Sequence, residues 1–300
     1  MKNIDLEKIE NYLYTKARDV EVAVYNYFYN DFEREFVSYA ISMYQNTDGG
    51  FGQALNPNIL DPNSSVICTY FALDYLYKVG FNKDNMDEVT YSIIQKSYRY
   101  LFNKAEMVDS KFKSVAKTCN DHPHASDLDY NNKITYSPTA ALIGFALCFF
   151  NNSSKYHKKA KQMVDAAVKE YLNDFSSTKD EIIAFERLYE CLLFIGVDNK
   201  DLFNKIISDI DKVVEKDKSK WGNENSVTPL DLLGNKIYQV NPEFEMLVKE
   251  NKEYLLENQN HLGVWESSYK WNTNYEEEEM AQVINMAIST VNNLINLKEN

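Results

Sequence analysis

Two kinds of apolar run alternate along this chain, and the alternation limits what it can fold into. One kind is solid. Val66, Ile67, Cys68, Tyr70, Phe71, Ala72, Leu73, Tyr75 and Leu76 leave scarcely a polar face, and the run from Ala140 to Phe150 leaves none. A helix that is apolar all round has to lie inside. The other kind is striped: Tyr156, Ala160, Met163, Val164, Ala167, Val168 and Tyr171 fall on one side of a helix over 154–172. Only nine glycines and six prolines punctuate 300 residues, so helical periodicity runs almost unbroken.

The pattern predicts helices over 6–29, 31–45, 63–79, 86–102, 138–150, 154–172, 181–195, 200–215, 227–233, 242–258 and 276–297, with no convincing strand. In the 31–45 helix, Phe32, Phe36, Val37, Ala40, Ile41 and Tyr44 form one stripe. Outer, striped helices and inner, solid ones make about six pairs of about 45–50 residues each. No linker interrupts them, so the expectation is a single all-α domain over 1–300. An open solenoid fits that repeat length equally well. The solid second helix of each pair favours closure around a common centre. Links from inner to outer helices are short (80–85, 151–153, 196–199, 236–241), whereas links from outer to inner are long (46–62, 106–136, 216–226, 260–275). In an alternating closed arrangement the long loops share one face, where function usually sits. All three tryptophans (Trp221, Trp265, Trp271) and three of the four histidines (His122, His124, His261) fall in those loops.

Charge and cysteine content narrow the partners. A net charge of −13, with no clustered basic stretch, argues against nucleic acid or an anionic membrane surface. The N-terminus Met1-Lys2-Asn3-Ile4-Asp5 is too polar for a signal peptide, and no apolar run approaches the roughly 18 residues of a transmembrane segment. Cys68, Cys119, Cys148 and Cys191 are scattered and read as reduced, mostly buried thiols, which points to the cytoplasm.

One loop stretch stands out. In Gln45-Asn46-Thr47-Asp48-Gly49-Gly50-Phe51-Gly52, the Asp-Gly-Gly makes a sharp turn. A Pro/Asn-rich loop then reaches Asp61-Pro62-Asn63-Ser64-Ser65, whose Asn and Ser residues are good helix N-caps. Glutamine, glycine turn and aromatic recur as Gln259-Asn260-His261-Leu262-Gly263-Val264-Trp265. Tyr254-Leu255-x-x-x-Gln259-x-x-x-Gly263-x-Trp265 resembles the repeat of squalene and terpenoid cyclases, and Gln45-x-x-x-Gly49-x-Phe51 is the same repeat with Phe for Trp. The paired helices are similar to the α/α toroid of those cyclases and of protein prenyltransferase β-subunits. Gln45–Gly52, Asp61–Ser65 and Ser137-Pro138-Thr139-Ala140 resemble bacterial proteins of about this length described as prenyltransferase- or squalene cyclase-like. The resemblance implies the toroid and a hydrophobic isoprenoid-type small molecule at its centre. Its motifs are structural, so they speak for the fold more than for chemistry. In physical terms, the glutamine amide can bond the exposed end of a neighbouring helix while the aromatic stacks on it.

Several residues are candidates for chemistry on the long-loop face. Cyclases that start by protonation use D-x-D-D, and Asp127-Leu128-Asp129-Tyr130 offers the first two carboxylates with Tyr in the last place. Two adjacent carboxylates can share a proton, which makes Asp127 and Asp129 the candidate catalytic pair. The D-D-x-x-D run of metal-dependent ionisation is absent. Cys119, His122 and His124 are zinc-ligand types, but Pro123 restricts how the two imidazoles could converge, and a solvated polar loop is the simpler reading. Asp61, His122, His124, Asp127 and Asp129 would ring the entrance, with Asn63, Glu186 and Trp271 as further substrate-binding candidates. Three functions stay open: an isoprenoid cyclase or transferase, a carbohydrate-active α/α barrel with carboxylates such as Asp48 and Asp129 beside tryptophan platforms, and a non-catalytic toroid that binds lipid or protein. No cofactor or oligomeric state is legible.

Overall fold

The computed structural model describes residues 4–174, 177–224 and 226–298. In chain order its helices are α1 (Leu6–Lys16), α2 (Asp19–Tyr29), α3 (Glu35–Ser42), α4 (Val66–Lys78), α5 (Glu88–Asn103), α6 (Thr139–Phe149), α7 (Lys155–Leu172), α8 (Lys179–Phe194), α9 (Lys200–Val213), α10 (Pro229–Leu232), α11 (Pro242–Glu257) and α12 (Glu278–Lys298). Besides these twelve, the described residues hold short 3-10 turns and one hairpin, Met107–Val108 with Lys111–Phe112. The chain is all-α, as its periodicity predicts. The hairpin is the element that periodicity misses: Asp109 (φ 48) and Ser110 (φ 65) make its two-residue turn, where glycine or asparagine would have signalled one.

Where the sequence suggests one domain over 1–300, packing groups the chain into two compact units. The mid-chain unit is Arg34–Asp209, and the terminal unit joins Met1–Glu33 to Ile210–Asn300. In the mid-chain unit α6 is buried along its whole length and packs chiefly on α8 and α7. Gly144 lets α6 and α8 approach: a Cβ there would stand 2.9 Å from Leu188 Cα and 3.2 Å from Arg187 O. In the terminal unit α12 packs against α1 and α2, so the first two helices and the last lie together. Tyr12 Oη donates to Val283 O and Tyr29 Oη to Leu294 O across that contact.

Two sequence expectations need correcting here. The helix over 6–29 is two helices, broken where Ala17 and Arg18 turn extended. Arg18 holds the break by donating from its backbone N–H and its guanidinium to Glu21. The 31–45 helix is shorter, and Phe32 and Phe36 are exposed instead of sharing the buried stripe of Val37 and Ile41. Asp31 (φ 52) stands in left-handed space after α2, and α3 begins only at Glu35, so Phe32 is not on that helix.

The two glutamine-glycine-aromatic stretches fold alike, one in each unit. Gln45 Nε2 donates to Gly49 O at 3.0 Å, and Gln259 Nε2 to Gly263 O at 2.7 Å. Asn46 N–H donates to Gly50 O, and Asn260 N–H to Val264 O, both at 2.9 Å. Gly49 (φ 98) and Gly263 (φ 79) occupy left-handed positions that only glycine takes cheaply. The aromatic N–H then meets a threonine on the following inner helix: Phe51 N–H donates to Thr69 Oγ1 at 3.1 Å, and Trp265 N–H to Thr290 Oγ1 at 3.4 Å. Both threonine hydroxyls donate to the carbonyl one turn back, Ser65 O and Met286 O. The glutamine does not cap a helix end as expected. Gln45 Nε2 reaches Ile93 O inside α5, and end-capping falls to Trp265, whose Nε1–H donates to Leu255 O in the last turn of α11.

These clasps generate a first prediction. Thr69→Val and Thr290→Val keep the side-chain shape but strand a buried N–H, so each should cost about 1–3 kcal/mol in urea unfolding. A loss within error for both variants would show that the threonines are incidental.

Candidate functional site

The long loops of the mid-chain unit come together as a woven surface. Leu60 N–H donates to Pro123 O and Ala125 N–H to Asn58 O, so Ile59 and His124 pair as an antiparallel bridge between the 46–62 and 106–136 loops. The second loop is ordered by its own turns: the hairpin and two 3-10 stretches, Lys117–Asp121 and Ser126–Leu128. Asp61, almost wholly buried, is the hub. Its carboxylate accepts from Asn63 N–H (2.9 Å), Asn63 Nδ2 (2.8 Å) and Thr118 Oγ1 (2.5 Å), and His122 Nε2 lies 3.7 Å away. Asp61, Asn63 and His122 are therefore neighbours, as the sequence suggests.

His124 stands beside them but points differently. Its Nδ1 is 2.7 Å from His122 O, and its Nε2 is 4.0 Å from Asp129. Asp129 accepts from Asn131 N–H at 2.7 Å and Asn120 Nδ2 at 3.2 Å. Those donors, the Asn131 N–H foremost, hold its carboxyl below the usual range. That is the behaviour of a standing anion, whereas a protonating acid needs the opposite shift. Asp127 is exposed on the adjoining 3-10 turn. Cys119 lies buried beneath, donating to Leu128 O, and burial with the charges of Asp61 and Asp129 pushes its thiol up to about 12. Among the described residues no three His, Cys, Asp or Glu side chains gather as a metal ion would need.

A second region lies on the inner helices. Sequence predicts α4 to be fully interior, yet Tyr70, Phe71, Asp74, Tyr77 and Lys78 form a partly exposed stripe at helical spacing. Ile183, Arg187 and Glu190 make the matching stripe on α8. Phe145 of α6, fully buried, stacks parallel to Tyr70 at 6.2 Å and meets Tyr77 at 4.8 Å between ring centres. Arg187 spans the stripes: Nε is 3.3 Å from Asp74 Oδ1 and Nη1 is 3.2 Å from Glu190 Oε2. Tyr77 Oη donates to the same Glu190 oxygen at 3.0 Å, and Lys78 Nζ sits 3.7 Å from Asp74. Burial drives the Tyr70 hydroxyl well up, with Asp74 adding to it. Arg187 stays charged despite its burial because Glu190 and Asp74 flank it. Glu186, buried next door, is pushed well above the ordinary carboxylate range by burial, only partly relieved by Arg187.

The sequence reading includes Glu186 but not Asp74, the single carboxylate in the apolar α4, where a carboxylate inside such a run is the available signal. Trp271 belongs to the terminal unit, where it is completely buried and donates from its backbone N–H to Glu278 Oε1. Trp221 and Trp265 are also buried, each bonding a backbone carbonyl through Nε1. None of the three offers a face to a sugar. No described helix is long and apolar enough to cross a membrane. Neither the family models nor the curated proteins compared with this chain match it.

A pH prediction follows from Glu186. Its folded pKa is raised by burial, so the folded state keeps a proton that the unfolded chain releases in the ordinary carboxylate range. Stability from this group is complete below that range and is lost as pH rises through the raised folded pKa. Glu186→Gln should therefore be more stable than wild type at pH 8, with the gain vanishing at pH 4 in urea unfolding. An equal difference at both pH values would place the carboxyl in an ordinary, ionised environment.

Proposed function

We propose that this protein is an α/α toroid of the prenyltransferase and squalene–terpenoid cyclase kind, and that it takes a hydrophobic isoprenoid-type molecule on the face made by α4, α6 and α8. Three features support the toroid: paired outer and inner helices, the two matching clasps, and the packing of α12 on α1 and α2. The observation that carries the ligand reading is the aromatic stripe of Tyr70, Phe71 and Tyr77 over Phe145, largely buried with a part of it left accessible. Aromatic rings left at a surface next to a buried core are what an apolar ligand would cover.

The ion cluster beside the rings favours a neutral polyprene over a diphosphate. Arg187 already has Asp74 and Glu190 as partners, so an incoming phosphate would meet two carboxylates. At roughly 5 Å and an effective dielectric of about 20, each pair of like unit charges costs about 3 kcal/mol. Within the cyclase reading, Asp127 and Asp129 are the motif-based acids, but the proton affinity suited to a donor belongs to Glu186. A non-catalytic lipid-binding toroid would share the ligand and lack turnover. The carbohydrate reading loses its platforms, because all three tryptophans are buried.

Titration with squalene or farnesol in detergent-free dispersions, against farnesyl diphosphate, tests this. The neutral lipids should bind and the diphosphate should be the weaker ligand. Phe71→Ala and Tyr70→Ala should each weaken lipid binding by about tenfold, the equivalent of 1.4 kcal/mol. No binding of either lipid, or binding indifferent to both variants, would remove the reading, and product formation would separate enzyme from binder.

A further inference from the structure

Three outer helices of the mid-chain unit, α3, α5 and α7, stand side by side as one wall. Ser38 of α3 shares a hydrogen bond with Thr90 of α5 at 2.7 Å, and Gln45, just past α3, donates to Ile93 O of α5. Tyr98 of α5 packs on Tyr156 of α7 at 6.1 Å between ring centres, and Lys159 Nζ reaches back to Phe102 O at 3.2 Å. The inner side of the wall packs on α4 and α6. Its outer side begins with an apolar stripe. α3 buries Val37, Ser38 and Ile41 yet leaves Phe36, Tyr39 and Met43 exposed at i, i+3 and i+7. Met43, at 76%, is the most exposed large apolar side chain among the described residues.

A basic ridge runs beside that stripe. Lys96 and Arg99 are exposed on α5, and Lys155, Lys158 and Lys159 on the first turns of α7. Lys155 and Lys159 lie over the rings of Tyr156 and Phe102. Among the described residues none of the five is paired with a carboxylate. No Asp or Glu occurs between Phe36 and Thr47, between Val89 and Ala105, or between Asn151 and Val164. Along these helices the nearest acids are Glu35 and Glu88 at helix starts and Asp165 beyond the ridge, with Glu35 facing Arg34 at 3.9 Å. The sequence shows no basic cluster because the two halves of the ridge lie on different helices, which the α5–α7 contact joins. The chain's net charge is −13, but a screening length of about 8 Å at physiological salt mutes the repulsion from distant carboxylates.

We propose that this wall docks on an anionic lipid bilayer, lying on its surface without crossing it. Phe36, Tyr39 and Met43 enter the boundary between headgroups and acyl chains, while the lysines and Arg99 meet the anionic headgroups. Stripe and ridge recognise the two layers of one partner, whereas a polyanion without an apolar layer answers only the ridge. Each lysine brought near such a surface contributes about fivefold in affinity. The inference goes beyond the isoprenoid reading and does not rest on it, since the wall is made of outer helices and the proposed ligand face of inner ones. No polyprene enters its test, so the two can fail separately.

Co-sedimentation of the full chain with vesicles tests it, using phosphatidylcholine alone against an equal mixture of phosphatidylcholine and phosphatidylserine. The mixed vesicles should bind about tenfold or more tighter, and added salt should weaken that binding. Lys155→Gln combined with Lys158→Gln removes two exposed charges and should cost about tenfold or more. Met43→Ser, at an exposed position, should cost about threefold. Neither variant touches a buried side chain, so circular dichroism should show both folded as wild type is. Lys16→Gln combined with Lys249→Gln makes the same charge change at exposed positions of the terminal unit and should bind as wild type does. No vesicle binding, equal affinity for the two compositions, wild-type binding by the lysine pair or the Met43 variant, or tighter binding of duplex DNA than of mixed vesicles would overturn the proposal.

Discussion

Everything built on the long loops depends on one small arrangement: a backbone N–H of an entering loop received by a threonine hydroxyl on the helix that follows. A loop that dives under a helix buries polar backbone, and each buried N–H needs a partner. Phe51 and Trp265 are both almost wholly buried, and Thr69 and Thr290 supply that partner for each. The glutamine closes the other side of the turn on its own glycine carbonyl. The glycine is tight against a neighbour: a Cβ on Gly49 would stand 2.4 Å from Lys96 O. Loop, inner helix and next outer helix are thereby locked as one unit, and the same solution appears twice in the chain.

From that lock the mid-chain unit follows outward. Phe51 O accepts from Ser65 N–H, and Ser65 caps α4, which fixes where the inner helix begins. With α4 placed and Gly144 setting the spacing of α6 and α8, the aromatic stripe and the Asp74–Arg187–Glu190 cluster come to face one another. In an ion cluster so largely buried, the cost of taking the charges out of water offsets much of their attraction, so it contributes little net stability by itself. Its consequence is electrostatic, because it spends the arginine's charge on the protein's own carboxylates.

Helix type and order were legible because they rest on periodicity, which backbone geometry enforces locally. Solid runs such as α6 and striped ones such as α7 appear where the pattern puts them. The nearness of Asp61, Asn63 and His122 also has a rationale in the sequence, since the 46–62 and 106–136 loops both lead into inner helices. What local pattern cannot carry is partner identity. Thr69 and Thr290 look like ordinary helix residues until a distant N–H arrives, and Asp74 finds Arg187 over a separation of 113 residues. The tryptophans misled for the opposite reason: a large ring in a long loop can be the plug that anchors the loop instead of a platform for a ligand. Asp127 and Asp129 share a loop, yet Asp129 spends its lone pairs on Asn131 and Asn120.

The most direct measurement of the central claim is native-state hydrogen exchange at the Phe51 and Trp265 amides. Both lie in loops, where amides ordinarily exchange through local fluctuations of small free energy. If the threonine clasps hold the fold together, these two amides should exchange as slowly as those in the middle of α6, through opening that costs nearly the full unfolding free energy. Exchange at the rate of neighbouring exposed loop amides would contradict the account.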